Sequence, residues 1–224
     1  MASKNKTNKN ETMLFIVGSL LLIISFLLFH YEKILEVASN LKSAIETEIY
    51  KENTKQEFNN SNNISVNVSV DYLEHDQKEE ELEENNYTPN YIAFLEINKI
   101  NLKQGLMPIN SPYNNVNYHV QILNISDMPD VINGNFILAG HSGTSNIAYF
   151  KNLYKLSLSD LAKVYYNSHV YTYKIVNIYK EDKDGSVNIY RDTNKTTLTL
   201  ITCTKNDKEH QTIYILELIG VETY

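Results

Sequence analysis

Apolar and polar residues divide the chain into three textures. From Met13 to Phe29, MLFIVGSLLLIISFLLF, seventeen residues carry no charge, and every helical face is apolar. Such a stretch predicts a membrane-spanning helix rather than a core helix; at about 1.5 Å per residue it is near the lower limit for crossing about 30 Å of hydrocarbon. His30 and Tyr31 extend it to residues 13–31. In residues 32–56, Ile34, Ala38, Leu41, Ile45 and Ile49 recur every three or four positions. That spacing predicts an amphipathic helix, either a solvated stalk or one that self-associates. From Asn59 the chain becomes rich in Asn and Ser, and then acidic: DYLEHDQKEEELEENN has eight acids and one lysine. This run cannot bury enough apolar surface to offset its ordering entropy, which predicts a linker through residue 89. Within it ISVNVSV (64–70) alternates like a strand without a partner run nearby.

From about Asn90 the pattern changes to short alternating runs separated by turn residues. YIAFLEI, NLKQGLM, NYHVQIL, NFILAG, LAKVYY, HVYTYKIVNIY, SVNIY, TTLTLITC and QTIYILELI all have strand periodicity and strand-favouring Tyr, Ile, Val and Thr. One helix-like piece, NIAYFKNLYKL, lies among them. Many short strands with few helices predict an all-β domain over residues 90–224, a closed or nearly closed barrel. About 135 residues suffice for one core.

Charge adds topology. Lys4, Lys6 and Lys9 precede the apolar stretch, opposed only by Glu11. The excess of lysine leaves residues 1–12 in the cytoplasm and the rest outside. A cleaved signal peptide would have a shorter apolar core and a small-x-small site, and none follows here. Residues 1–89 hold 8 of the 20 basic and 15 of the 27 acidic groups, leaving 12 of each for residues 90–224. A neutral folded part has no basic footprint for nucleic acid. No Walker-type glycine loop, HExxH or paired CxxC occurs, so nothing points to a nucleotide, metal or other cofactor.

The one cysteine, Cys203, cannot form an internal disulfide. Alternation in TTLTLITC puts Thr197, Thr199, Ile201 and Cys203 on one face, with the thiol where strand opens into loop. Such a thiol is either a small buried apolar group or a nucleophile with a base nearby. His30 falls in the apolar stretch and His75 in the linker. His119 and His169 sit in alternating runs, and His210 in the charged loop KNDKEHQ. His141 is different: NFILAGHSGTSN delivers it from an apolar strand into a Gly/Ser/Thr loop. DKDGS (182–186) predicts a hairpin turn at Asp184–Gly185 rather than a calcium loop.

TLTLITC is similar to the TLxTC signature of sortases, the membrane-anchored cysteine transpeptidases of Gram-positive cell surfaces. ILAGHSG resembles the strand and loop carrying that family's histidine, and FLEINKINLKQGL its opening strands. The resemblance covers about residues 90–220. It implies a closed eight-stranded sortase β-barrel with one or two short helices, displayed outside the cell by the N-terminal span. It also implies that Cys203 attacks a C-terminal LPxTG-like sorting signal of an exported protein and forms a thioester. His141 then protonates the leaving amine, and a cell-wall precursor or pilin amine resolves the acyl-enzyme. The family's third catalytic residue is an arginine opening the strand after the cysteine, where this chain has Gln211. The chain's single arginine, Arg191 in NIYRDTNKTT, enters the cysteine strand and is the other oxyanion or substrate-positioning candidate. A barrel that binds sorting signals with weak catalysis, or a cysteine hydrolase without transfer, are the alternative readings.

Overall fold

The computed structural model describes residues 4–61 and 89–224. The chain separates into two compact units, Met1–Lys42 and Ser43–Tyr224. Helix α1 (Lys4–Ser61) contributes to both. In the first unit, Thr12–Tyr31, 20 residues, is long and apolar enough to cross a membrane, with a mean hydropathy of 2.7 over an 18-residue window. The strand-like run 64–70, His75 and the rest of the acidic stretch to residue 88 lie outside the described residues.

The second unit is an eight-stranded sheet curled into a nearly closed barrel. Its strands are β1 (Ala93–Ile97), β2 (Leu102–Leu106), β3 (Gln121–Ile122), β4 (Asn135–Ala139), β5 (Leu161–Tyr166), β6 (His169–Asp182), β7 (Thr197–Cys203) and β8 (His210–Thr223). They pair in the order β2-β1-β5-β6-β8-β7-β4-β3. All neighbours are antiparallel except β4 and β7. The edges β2 and β3 form no ladder, so of the closed or nearly closed barrel expected the nearly closed form is found; Gln104 Nε2 and His119 Nδ1 approach to 3.5 Å between them. The core inside the sheet includes Leu95, Val164, Tyr173, Leu198, Leu200 and Leu216, all fully buried.

Two runs depart from their expected form. NIAYFKNLYKL contains only a single 3-10 turn, Leu153–Lys155; a second such turn is Asn98–Ile100. SVNIY is not a strand. It lies in the connection between β6 and β7, where Val187 and Ile189 pack as side chains against the sheet. Its main chain bonds side chains instead of a ladder: Asn188 N donates to Glu181 Oε2 (2.9 Å) and Tyr190 N to the Tyr179 hydroxyl (2.9 Å). The alternation there is real, but its apolar side covers a face.

The end of α1 docks on the barrel through its polar side. Ser43 Oγ donates to the Lys103 carbonyl and Tyr50 OH to that of Ile92 (2.7 Å). Thr54 Oγ1 meets Tyr224 OH at 3.0 Å, and the Tyr50 and Phe94 rings lie 5.1 Å apart. Ile45 and Ile49, on the stripe that periodicity marks as the burying face, stay exposed. A docking surface rich in tyrosine edges and carbonyls rewards hydroxyls over aliphatic side chains.

Candidate active site

The parallel pair β4–β7 builds the site. Parallel strands end at the same end of a sheet, so the residues following both arrive together. Ala139 pairs with Ile201, and the ladder continues one step further, since Gly140 N donates to Ile201 O (3.1 Å). Thr202 Oγ1 returns a bond to Gly140 O (2.7 Å). His141 and Cys203 each follow two residues after the pairing of Ala139 with Ile201. Both residues are half-buried. A Cβ on Gly140 would sit 2.9 Å from the Phe150 ring, so glycine is needed where the chain passes. Phe150 N in turn donates to His141 O (2.9 Å), pinning the residue that follows the strand.

Parity assigns the faces. Leu198 and Leu200 point into the main core, whereas Ile201 belongs to a second apolar cluster on the outer side with Ile137, Ile213 and Ile215. Cys203 shares that outer face. Leu123, Ala139, Tyr179, Val187 and Ile189 pack around the cluster, making an apolar floor partly roofed by the β6–β7 connection. Farther from the thiol the floor is polar: Thr197 and Thr199, both buried, donate to Asn135 Oδ1 at 3.0 and 2.8 Å.

Gln211 is the direct cross-strand partner of Cys203. Its amide donates to Ser186 O (2.7 Å) in the β6–β7 connection and to Asp182 O (3.3 Å) at the end of β6. Arg191 is not brought to the thiol, contrary to the reading that it reaches the site from this connection. Its Nη1 donates to the carbonyls of Asn133 (3.2 Å), Lys195 (3.1 Å) and Asp192 (3.4 Å), at the start of β4 and β7. Cys203 ends β7 six residues after Thr197, which at about 3.3 Å per residue is about 20 Å away. The guanidinium finds three carbonyls beside it and is spent there. The two candidates thus anchor opposite ends of one connection.

Other side chains shape the rim, and no sequence signal marks Lys205, Tyr154 or Asp207 among them. Lys205 Nζ lies 3.5 Å over the Tyr154 ring, tying the β7–β8 connection to the 3-10 turn after His141. His210 Nδ1 is 2.9 Å from Asp207, and its Nε2 is 3.3 Å from Asp182. The hydrogen bond with Asp207 holds the His210 imidazole above its ordinary range and the Asp207 carboxyl below its own. Asp184 accepts from Ser186 N (2.9 Å) beside Gly185 at φ +95°; the chain bends there, but with no strand in SVNIY it is not the hairpin turn expected of DKDGS. His169 Nδ1 meets Asn167 O (2.6 Å), at the end of β6 away from the thiol. Among the described residues no group of His, Cys, Asp and Glu is placed to hold a metal.

A family model described as the sortase domain matches residues 95–218. No curated protein sequence matches the chain. Among solved structures, a sortase D5 transpeptidase of Clostridium perfringens is 28% identical, with a TM-score of 0.50 over 58% of this chain and 79% of that one. Sortase A of Corynebacterium diphtheriae, as a lid mutant, is 20% identical, with a TM-score of 0.53 over 61% and 74%. Sortase C of Streptococcus pneumoniae, a protein with pilin substrate specificity, is 17% identical, with a TM-score of 0.53 over 62% and 73%.

Proposed function

The chain belongs to the sortase family and is a sortase-type transpeptidase, and we propose that Cys203 and His141 carry its chemistry on the C-terminal sorting signal of an exported protein. The observation that supports this reading is the β4–β7 register, whose last pair, Ala139 with Ile201, lies two residues before His141 and Cys203. The Cys203 sulfur attacks the carbonyl of an LPxTG-like signal, an S–C bond forms, and the C–N bond breaks. His141 gives a proton to the departing amine, then takes one from the incoming amine that resolves the thioester. That amine comes from a cell-wall precursor or a pilin-like protein. Residues 13–31 anchor the enzyme with residues 1–12 inside, and residues 32–89 space the catalytic domain 90–224 from the membrane. The apolar helix Thr12–Tyr31 supports this placement.

The developing oxyanion needs a donor, and Gln211 is the side chain opposite the thiol. Its longer bond, 3.3 Å to Asp182 O, is the one exchanged for the substrate oxygen, while the 2.7 Å bond to Ser186 O keeps the amide oriented. Loss of one oxyanion donor typically costs about 10²–10³ in rate. Gln211→Ala and Gln211→Glu are expected to lose about that much in kcat, because both remove the N–H groups. Arg191→Ala is expected to change kcat by less than about threefold, since its guanidinium acts about 20 Å away. Steady-state kinetics on the four proteins gives the ranking, and the reverse order would refute the assignment of Gln211.

Intact-mass spectrometry of the full chain in detergent, mixed with a library of sorting-signal peptides, tests the reading as a whole. At least one peptide is expected to leave an adduct of its acyl portion, released by hydroxylamine as a thioester would be. No adduct from any member would refute it. If only Gln211→Arg forms one, the natural chain is a sorting-signal binder, a reading favoured by the engaged Gln211 amide.

A further inference from the structure

His210 opens β8, and alternation turns its ring to the face opposite Gln211 and the thiol. Its Nδ1 lies 2.9 Å from Asp207 in the β7–β8 connection. Its Nε2 lies 3.3 Å from Asp182, its cross-strand partner at the end of β6. The proposed function gives this ring no part. Resting on that reading of Gln211, we propose that His210 is a positioning residue: its protonated ring clasps Asp182 and so keeps the Gln211 amide aimed for the oxyanion.

Asp182 links the two side chains because it meets both at once. Its carboxylate faces the His210 ring, while its main-chain carbonyl accepts the 3.3 Å bond from Gln211 Nε2. The other Gln211 bond, 2.7 Å to Ser186 O, falls on the segment that follows. Moving the end of β6 therefore moves both acceptors that orient the amide. The Asp182 side chain is 85% exposed, and among the described residues His210 is its one ion-pair partner. Without that contact the carboxylate is held only by water. A main-chain bond from Lys183 N to Glu209 O (2.7 Å) joins the same two segments and keeps the ring opposite its partner.

Holding two carboxylates needs the charged ring. A neutral imidazole keeps one N–H, which Asp207 takes; only the imidazolium has a second donor and a charge for Asp182. Asp207 and Asp182 face the ring with negative charge, and Lys180, 3.7 Å from Asp207, opposes them. Of the other charged neighbours, Glu181 accepts from Asn188 N and Nδ2, and Lys183, Lys208 and Glu209 are exposed to solvent. The net effect is the raised imidazole, led by its hydrogen bond with Asp207. The clasp is therefore complete below the ordinary histidine pKa of about 6.5, and it opens as pH rises through the raised value.

An open clasp leaves Gln211 present but less well aimed. Fixed donors stabilise an oxyanion because no reorganisation is left for the moment of reaction. Opening the clasp therefore slows the chemical step. Substrate affinity is untouched, because the ring lies on the other face of the sheet and meets no substrate atom.

Single-turnover acylation of the full chain in detergent, followed by intact mass across a range of pH, tests the clasp with a library peptide that forms the thioester. His210→Gln removes the charge. Asp182→Asn removes its partner and keeps the carbonyl that Gln211 uses. Dividing the wild-type rate by a variant's rate cancels the titration of Cys203 and His141, which every protein in the set shares. At saturating peptide this ratio is expected to be about fivefold below the ordinary histidine pKa, the low end of coupling between two sites. It should approach one as pH rises through the raised value, and the peptide concentration giving half the maximal rate should not change. In a Gln211→Ala background both substitutions should change the rate by less than about twofold at any pH, since the residue they act through is gone. A ratio independent of pH would make His210 a packing residue and overturn the clasp. A ratio that survives Gln211→Ala would also overturn it, because the charge would then act on the thiol directly. In both cases the slow acylation of Gln211→Ala itself would leave the oxyanion assignment standing. If Gln211→Ala alone costs nothing, that assignment fails, and this inference with it.

Discussion

Cys203→Ala is expected to abolish the acyl-enzyme and all product, with almost no change in stability. The thiol is the only one in the chain, so no other sulfur can replace it. Removing the nucleophile of a covalent catalyst costs about 10⁶ in rate in the best-measured hydrolase. The fold should not notice. The end of β7 is fixed by its ladder to β8 and by the bond from Thr202 Oγ1 to Gly140 O, none of which uses the sulfur. Cys203 is half-buried, so its loss opens a groove to water and leaves no closed cavity. Two measurements on the same sample decide the point. Urea midpoints of the two proteins should agree, and the peptide adduct should vanish from the intact-mass spectrum of the variant. Iodoacetamide should also add one label to the native wild type and none to the variant. If the native thiol resists labelling until the protein unfolds, Cys203 is a packing residue and the adduct must be sought elsewhere.

Much of this site was legible because alternation reports faces directly. The odd positions of TLTLITC fall on one side, and Ile201 does lie in the outer cluster while Leu198 and Leu200 lie inside. A strand followed by Gly-His-Ser-Gly marked His141 as a residue leaving a sheet. What alternation cannot express is which strands are neighbours. That β4 and β7 run parallel, and so bring residues 62 positions apart to one level, comes from the barrel's connectivity. The same limit explains SVNIY, whose period of two arises from Val187 and Ile189 covering a face without any ladder. It also explains Arg191: proximity in sequence to the cysteine strand says nothing about which end of that strand the guanidinium meets. In α1 the apolar residues Ile34, Leu41, Ile45 and Ile49 stay exposed, and docking uses Ser43, Tyr50 and Thr54. Hydropathy ranks transfer from water to oil; here the receiving surface offers carbonyls and ring edges.

The second large effect is expected from His141→Ala, which should slow acylation by sorting-signal peptides by about 10²–10⁴, the usual worth of a positioned general acid. A merely structural role would also slow the reaction, so the size alone does not identify the proton donor. The leaving group does. A peptide amine leaves only with a proton, whereas an activated thioester of the same acyl portion leaves as a stable anion. If His141 supplies that proton, the variant should acylate with the activated thioester within about tenfold of the wild-type rate, and keep its full defect on the peptide. Added imidazole should recover part of the peptide reaction, since the alanine leaves space beside the half-buried position. His210 is the control. It neighbours Gln211 in the chain, but its ring is committed to Asp207 at 2.9 Å and Asp182 at 3.3 Å. His210→Ala should therefore loosen the loop and leave the contrast between the two leaving groups unchanged. An equal loss on both substrates for His141→Ala, together with a selective loss for His210→Ala, would move the acid role to His210. The β4–β7 register argues for the other outcome, because its last pair, Ala139 with Ile201, lies two residues before His141 and Cys203.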